Sequence, residues 1–136
     1  MSDVVLLYYM VETGMLDVDN PSLENVLKVL DEMDGHEFDS VFIMLSNGDS
    51  MEAGGGSNNQ YKCNARTDGF YDLINPNIPK DMSDTMNLQV ADEINTFPKC
   101  TIVTLKEVKN AFEYFYACGG LNPDLSWDNT LEYEPL

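Results

Sequence analysis

Basic residues are scarce: seven Lys and Arg stand against 24 Asp and Glu, and the 136-residue chain carries a net charge of −17. A surface so short of cations repels phosphates, which argues against direct binding to DNA, RNA or an anionic membrane face. Histidine is nearly missing. His36 is the single one and lies in an acidic, Gly-containing loop, with no Ser or Cys beside it at a recognisable nucleophile elbow. The sequence therefore names no catalytic set. One His and scattered cysteines also cannot build a closed zinc site at usual spacings. Cys63, Cys100 and Cys118 form no CxxC pair; an odd, widely spaced set reads as free thiols in a reducing cytoplasm. Long apolar runs are missing too. The longest, Val4 to Val11, has eight residues, far short of the ~20 a membrane-spanning helix needs. The first basic side chain is Lys28, so the N-terminus lacks the charged region of a secretory signal. The expectation is a cytoplasmic protein with no catalytic residues, no metal and no cofactor.

What remains is enough to fold. Leu, Ile, Val and Phe supply 35 residues, about a quarter of the chain, above the share at which highly charged chains stay disordered. One domain over residues 1–136 is expected, with 129–136 as a frayed tail. Asp3 to Val11 reads as a strand ending near Gly14. Asn20-Pro21 reads as the cap and first position of a helix, with Leu23, Val26, Leu27, Leu30 and Met33 as its apolar stripe and Gly35 as its end. Asp39 to Ser46 and Ser50 to Ala53 read as a hairpin about Asn47-Gly48. Gln60 to Arg66 and Phe70 to Ile74 form a second pair about Asp68-Gly69. Asn75 to Met86, with two prolines, reads as a surface loop, followed by strands at Asn87 to Asn95 and Lys99 to Val103. Thr104-Leu105-Lys106-Glu107 is a capping box; it opens a helix to Cys118 with Leu105, Val108, Phe112 and Phe115 on its core face. Gly119-Gly120 provides the left-handed exit. Leu121 to Asp128 closes with an extended piece. The fold class is α+β, a mainly antiparallel sheet with two principal helices packed on it.

Local motifs for chemistry fall short. Gly54-Gly55-Gly56 lacks the lysine and following helix of a phosphate loop and reads as a turn or bulge. Asp17-Val18-Asp19-Asn20 begins like a calcium loop, but Ser22 and Lys28 occupy the positions that need Gly and a bidentate Glu. Charge distribution says more. Residues 1–61 carry a net −11 and residues 62–136 a net −6. Asp31, Glu32, Asp34 and Glu37 crowd the C-terminal end of the first helix, where its dipole already presents negative charge and each acid costs about 0.3–1 kcal/mol. Such a cluster suits a cationic partner. Asp68, Tyr71 and Asp72 form a second candidate surface, a turn beside an aromatic-rich strand.

Three segments, taken in order, carry a resemblance. A strand hairpin leads into Gly54-Gly55-Gly56-Ser57-Asn58-Asn59. An aromatic helix, Ala111-Phe112-Glu113-Tyr114-Phe115, runs into Gly119-Gly120-Leu121-Asn122-Pro123. Trp127-Asp128 follows. Together, over roughly residues 40–128, they resemble the first numbered family of immunity proteins from bacterial polymorphic toxin systems. The resemblance implies an α+β inhibitor, not an enzyme, that binds a cognate toxin domain. The family's partners typically act on nucleic acid as deaminases or nucleases, and a positive cleft of that kind suits an acidic inhibitor. The matched Gly and aromatic residues read as turn and core, so they name no interface. Two alternatives share the same charge: an acidic adaptor or nucleic-acid mimic that binds a basic host factor, and a small carboxylate-dependent hydrolase.

Overall fold

Hairpins set the topology in the computed structural model, which describes residues 4–11 and 14–130. Along the chain come β1 (Val4–Val11), β2 (Gly14–Asp19), α1 (Leu23–Asp31), β3 (Ser40–Leu45), β4 (Ser50–Gly55), β5 (Tyr61–Arg66) and β6 (Phe70–Ile74). β7 (Thr85–Val90), β8 (Glu93–Pro98), α2 (Leu105–Cys118) and β9 (Ser126–Asp128) follow. One sheet of seven strands runs β2-β1-β3-β4-β5-β6-β9, with every neighbour antiparallel; β7 and β8 pair separately. The α+β class with two helices on a mainly antiparallel sheet is what forms. Of the expected tail at 129–136, residues 129 and 130 are described, with Thr130 bonded to Asp128 and Lys80, and residues 131–136 lie outside the described residues.

Strand alternation divides the large sheet into two faces. Val41, Ile43 and Leu45 of β3, Met51 and Ala53 of β4, and Tyr61, Cys63 and Ala65 of β5 share one face by register. They pack into a single buried cluster with Val26, Val29 and Leu30 of α1, Met33 just after it, and Val108, Ala111, Phe112 and Phe115 of α2. Both helices therefore cover this face. The opposite face of β4 and β5 carries Ser50, Glu52, Gly54, Lys62, Asn64 and Arg66. The β7–β8 hairpin lies over part of it: a Cβ on Gly54 would sit 2.5 Å from Val90 Cγ1, and Lys62 Nζ lies 5.4 Å from the Phe97 ring centre. Leu88, Val90, Phe97 and Ile102 form a second, smaller core there.

Several expectations needed correction. The cap of α1 is Ser22, whose Oγ accepts from Asn25 N at 3.0 Å; Asn20 instead continues the β2 end, its N donating to Val5 O at 2.9 Å. The helix ends at Asp31, and Gly35 belongs to the loop beyond it. Residues 14–19, where the sequence suggests only a strand end near Gly14 and a failed calcium-loop start at 17–20, are β2, an edge strand with mostly exposed side chains. The strand expected at Asn87 to Asn95 is a hairpin that turns at Ala91 and Asp92, both left-handed (φ 53° and 66°). Lys99–Thr101 is a 3-10 turn, and only Val103 bridges to the sheet, at Tyr61. Gly54 and Gly55 end a strand, and the turn runs from Gly55 and Gly56 (φ 95° and 124°) through left-handed Asn58 and Asn59 (φ 55° and 56°). By contrast α2 starts at Thr104 with the full capping box and exits through left-handed Gly119. All three cysteines are free thiols, with Cys63 and Cys100 buried and Cys118 exposed.

Candidate partner-binding surface

The acids at the end of α1 do different work. Asp31 closes the helix and accepts from Lys109 Nζ at 3.0 Å, so α2 supplies a cation against the unfavourable dipole. A solvent-exposed pair of this kind contributes about 0–1 kcal/mol. Asp34 organises the loop: its Oδ1 accepts from His36 N at 2.8 Å and Phe38 N at 3.1 Å, and these amides hold its carboxyl below the usual range. Glu32 and Glu37 are exposed. All four acids are exposed, but two of them also have a part in the fold.

The second predicted surface divides. Tyr71 and Thr67 hydroxyls each donate to Asp68 Oδ1 at 3.0 Å, which lowers the Asp68 carboxyl and raises the Tyr71 phenol. Asp72 points to the opposite face of β6 and is only 2% exposed. It forms an ion pair with Lys62, itself 1% exposed. Asp72 is therefore removed from any docking surface: its charge is spent inside the protein.

Sequence reasoning did not single out Lys62, Glu52 or Asn64. Register places Tyr8, Phe42, Glu52, Asn64, Asp72 and Asp128 in one row across the sheet. Burial pushes the Glu52 carboxyl up, against the opposing pull of Lys62 and Arg66. Arg66 lies over Phe70, 5.0 Å from the ring centre, and the two help line a small notch with Phe42, Ser50, Glu52 and Asn64. Burial also opposes ionisation of Asp128, but Lys80 and Thr130 outweigh it and hold that carboxyl at about 2. The legible signal was the polar alternation Lys62, Asn64, Arg66 within a central strand, where a second apolar face would otherwise be needed.

His36 is drawn into a groove. Gln89 Nε2 donates to His36 O at 2.6 Å and to Asp39 Oδ2 at 2.9 Å, and Asp92 N donates to the same Oδ2 at 2.8 Å. Asp39, 1% exposed, also accepts from Gly55 N through its carbonyl at 3.0 Å. It thus ties the α1–β3 loop to the hairpin tip and to the end of β4. Beside this joint opens a groove of about 330 Å³ lined by His36, Asn58, Gln60, Asn87, Gln89 and Ile94, among others. Among the described residues, no three His, Cys, Asp or Glu side chains are placed to hold a metal ion, and no helix is long and apolar enough to cross a membrane.

No family model, curated protein or solved structure matches this chain.

Proposed function

We propose that the chain is an immunity protein: a non-catalytic, cytoplasmic inhibitor that binds and neutralises a cognate toxin domain, a cationic one acting on nucleic acid as a deaminase or nuclease. The observation that carries this reading is where the few cations go. Of the seven Lys and Arg, Lys62, Lys80, Lys99 and Lys109 form ion pairs with Asp72, Asp128, Asp84 and Asp31. The excess of carboxylates is left without internal compensation, and self-repulsion of that kind works against the folded state. A positively charged partner turns it into attraction and fast association. A toxin that grips phosphates has such a surface, and carboxylates placed over its cleft compete with substrate. The resemblance of the Gly-rich turn, aromatic helix and Trp127-Asp128 to an immunity family supports the same reading.

The test is co-expression with a cognate toxin domain, sought in the neighbouring genes. Wild-type protein should restore survival, and purified proteins should associate quickly at low salt and markedly more slowly as ionic strength rises. Reversal of Asp31, Glu32, Asp34 and Glu37 to Lys should weaken binding, with thermal melts as the folding control. Failure to protect, together with capture of a basic host factor, would favour the adaptor alternative.

A further inference from the structure

We propose that the groove beside Ile94 seats a cationic loop of the partner, with an aliphatic side chain of that loop packed on Ile94 and its basic side chains drawn to the acids of the adjoining α1–β3 loop and β7–β8 turn. The proposal rests on the immunity function and specifies its interface. Ile94 is 72% exposed, the most open of the large apolar side chains among the described residues, ahead of Leu16 at 47%. A single exposed apolar residue is ordinary; the position of this one is not. It borders the groove whose other walls include His36, Asn58, Gln60, Asn87 and Gln89, groups that can both donate to and accept from a peptide backbone.

The surroundings select the occupant. None of the chain's Lys or Arg lines the groove. Asp34 and Glu37 flank His36 in the loop, and Asp92 and Glu93 precede Ile94 at the hairpin tip. Behind them Asp39 is buried, its Oδ1 without a hydrogen-bond partner. An apolar contact in a groove lined by no charged Asp, Glu, Lys or Arg, with acids in the adjoining loop and hairpin turn, matches a loop that carries both aliphatic and basic residues, following the pattern of an anchor with polar groups around it. The three segments are also fixed in advance. A Cβ on Gly35 would sit 2.4 Å from Ser57 N, which shows how closely the α1–β3 loop and the Gly-rich turn approach, and Gln89 and Asp39 tie the hairpin to both. Little ordering cost is left for binding.

Two arms test this. In the first, isotope-labelled protein is titrated with the peptide acetyl-Lys-Leu-Lys-Leu-Lys-amide, and with a control in which Ser replaces each Lys. Amide shifts should concentrate at His36, Asn58, Gln89 and Ile94, be weak with the control, and fade in about 0.5 M salt. Absence of shifts there, shifts centred on Asp17 and Asp19, or equal shifts with the control would overturn the proposal. In the second arm, Ile94→Asp and the pair Asp92→Lys with Glu93→Lys are assayed against the cognate toxin domain. Each should slow or weaken binding by about tenfold or more, while the edge-strand pair Asp17→Lys with Asp19→Lys stays near wild type. If wild-type protein binds and Ile94→Asp binds equally well, the groove is wrong and the immunity function stands. If wild-type protein does not bind the toxin, the immunity function falls and the peptide map alone decides the groove.

Discussion

Replacing Lys62 by Met tests the least expected part of the sheet. Lys62 and Asp72 are 1% and 2% exposed and form an ion pair across neighbouring strands, and the Phe97 ring lies over the ammonium. Removing one partner of a buried ion pair takes away the direct compensation of the other charge, at a cost of about 3–5 kcal/mol. That is a large part of the roughly 5–15 kcal/mol that holds an ordinary domain together. For a chain of this length it corresponds to a fall in Tm of roughly 10–20 °C. The assay is urea unfolding of Lys62→Met, Asp72→Leu and the double variant, read by midpoint and slope. The double variant should recover most of the loss, since apolar groups of similar volume replace a buried pair at little or no cost. A single variant that costs under about 1 kcal/mol, or a double variant as unstable as the single, would refute the assignment of this pair as mutually dependent.

Other perturbations probe separate elements. Phe112→Ala and Phe115→Ala empty fully buried positions on α2 and should each cost about 3–5 kcal/mol in the same unfolding assay. Asp128 has a folded-state pKa of about 2, below its ordinary value of 3.8, so its stabilisation is present above that ordinary value and is lost as pH falls through about 2. Asp128→Asn should therefore flatten the dependence of Tm on pH across that acidic range. A thiol reagent should label one cysteine, Cys118, in native protein and all three after unfolding, because Cys63 and Cys100 are buried. Gly54→Ala would press on Val90 Cγ1 and should destabilise, with partial rescue by Val90→Ala.

Much of the fold was legible where a short-range device marks it. The capping box at Thr104 and the exit at Gly119 placed both ends of α2, and Asn47-Gly48 placed the β3–β4 turn. The β7–β8 hairpin was hidden because Ala91 and Asp92 adopt left-handed conformations that Gly or Asn usually fill. Asp39 holds that turn from more than fifty residues away, which no local pattern announces. The cap of α1 was misplaced because Asn20 and Ser22 are both good caps, and only the exit from β2 decides between them. The candidate surfaces were harder still. Asp72 looked like a surface charge until register paired its strand with the one carrying Lys62. The groove forms only when the loop after α1, the turn after β4 and the hairpin tip meet. Composition showed the sign of the charge, but the folded chain decides which carboxylates are spent internally.

Strand β2 is one outer edge of the large sheet, and its Gly-Met-Leu-Asp-Val-Asp sequence leaves Met15 and Leu16 exposed. An open strand with apolar side chains is a template on which a second molecule can add a strand. Here the template carries its own deterrent. A copy that lined up antiparallel with β2 would bring its Asp17 and Asp19 to within about 5–8 Å of the same residues, inside the ~8 Å screening length of physiological salt. The negative charge so costly within one molecule thus keeps neighbouring molecules apart. Strong acid or high salt removes that repulsion, and those are the conditions in which this edge should begin to nucleate aggregates.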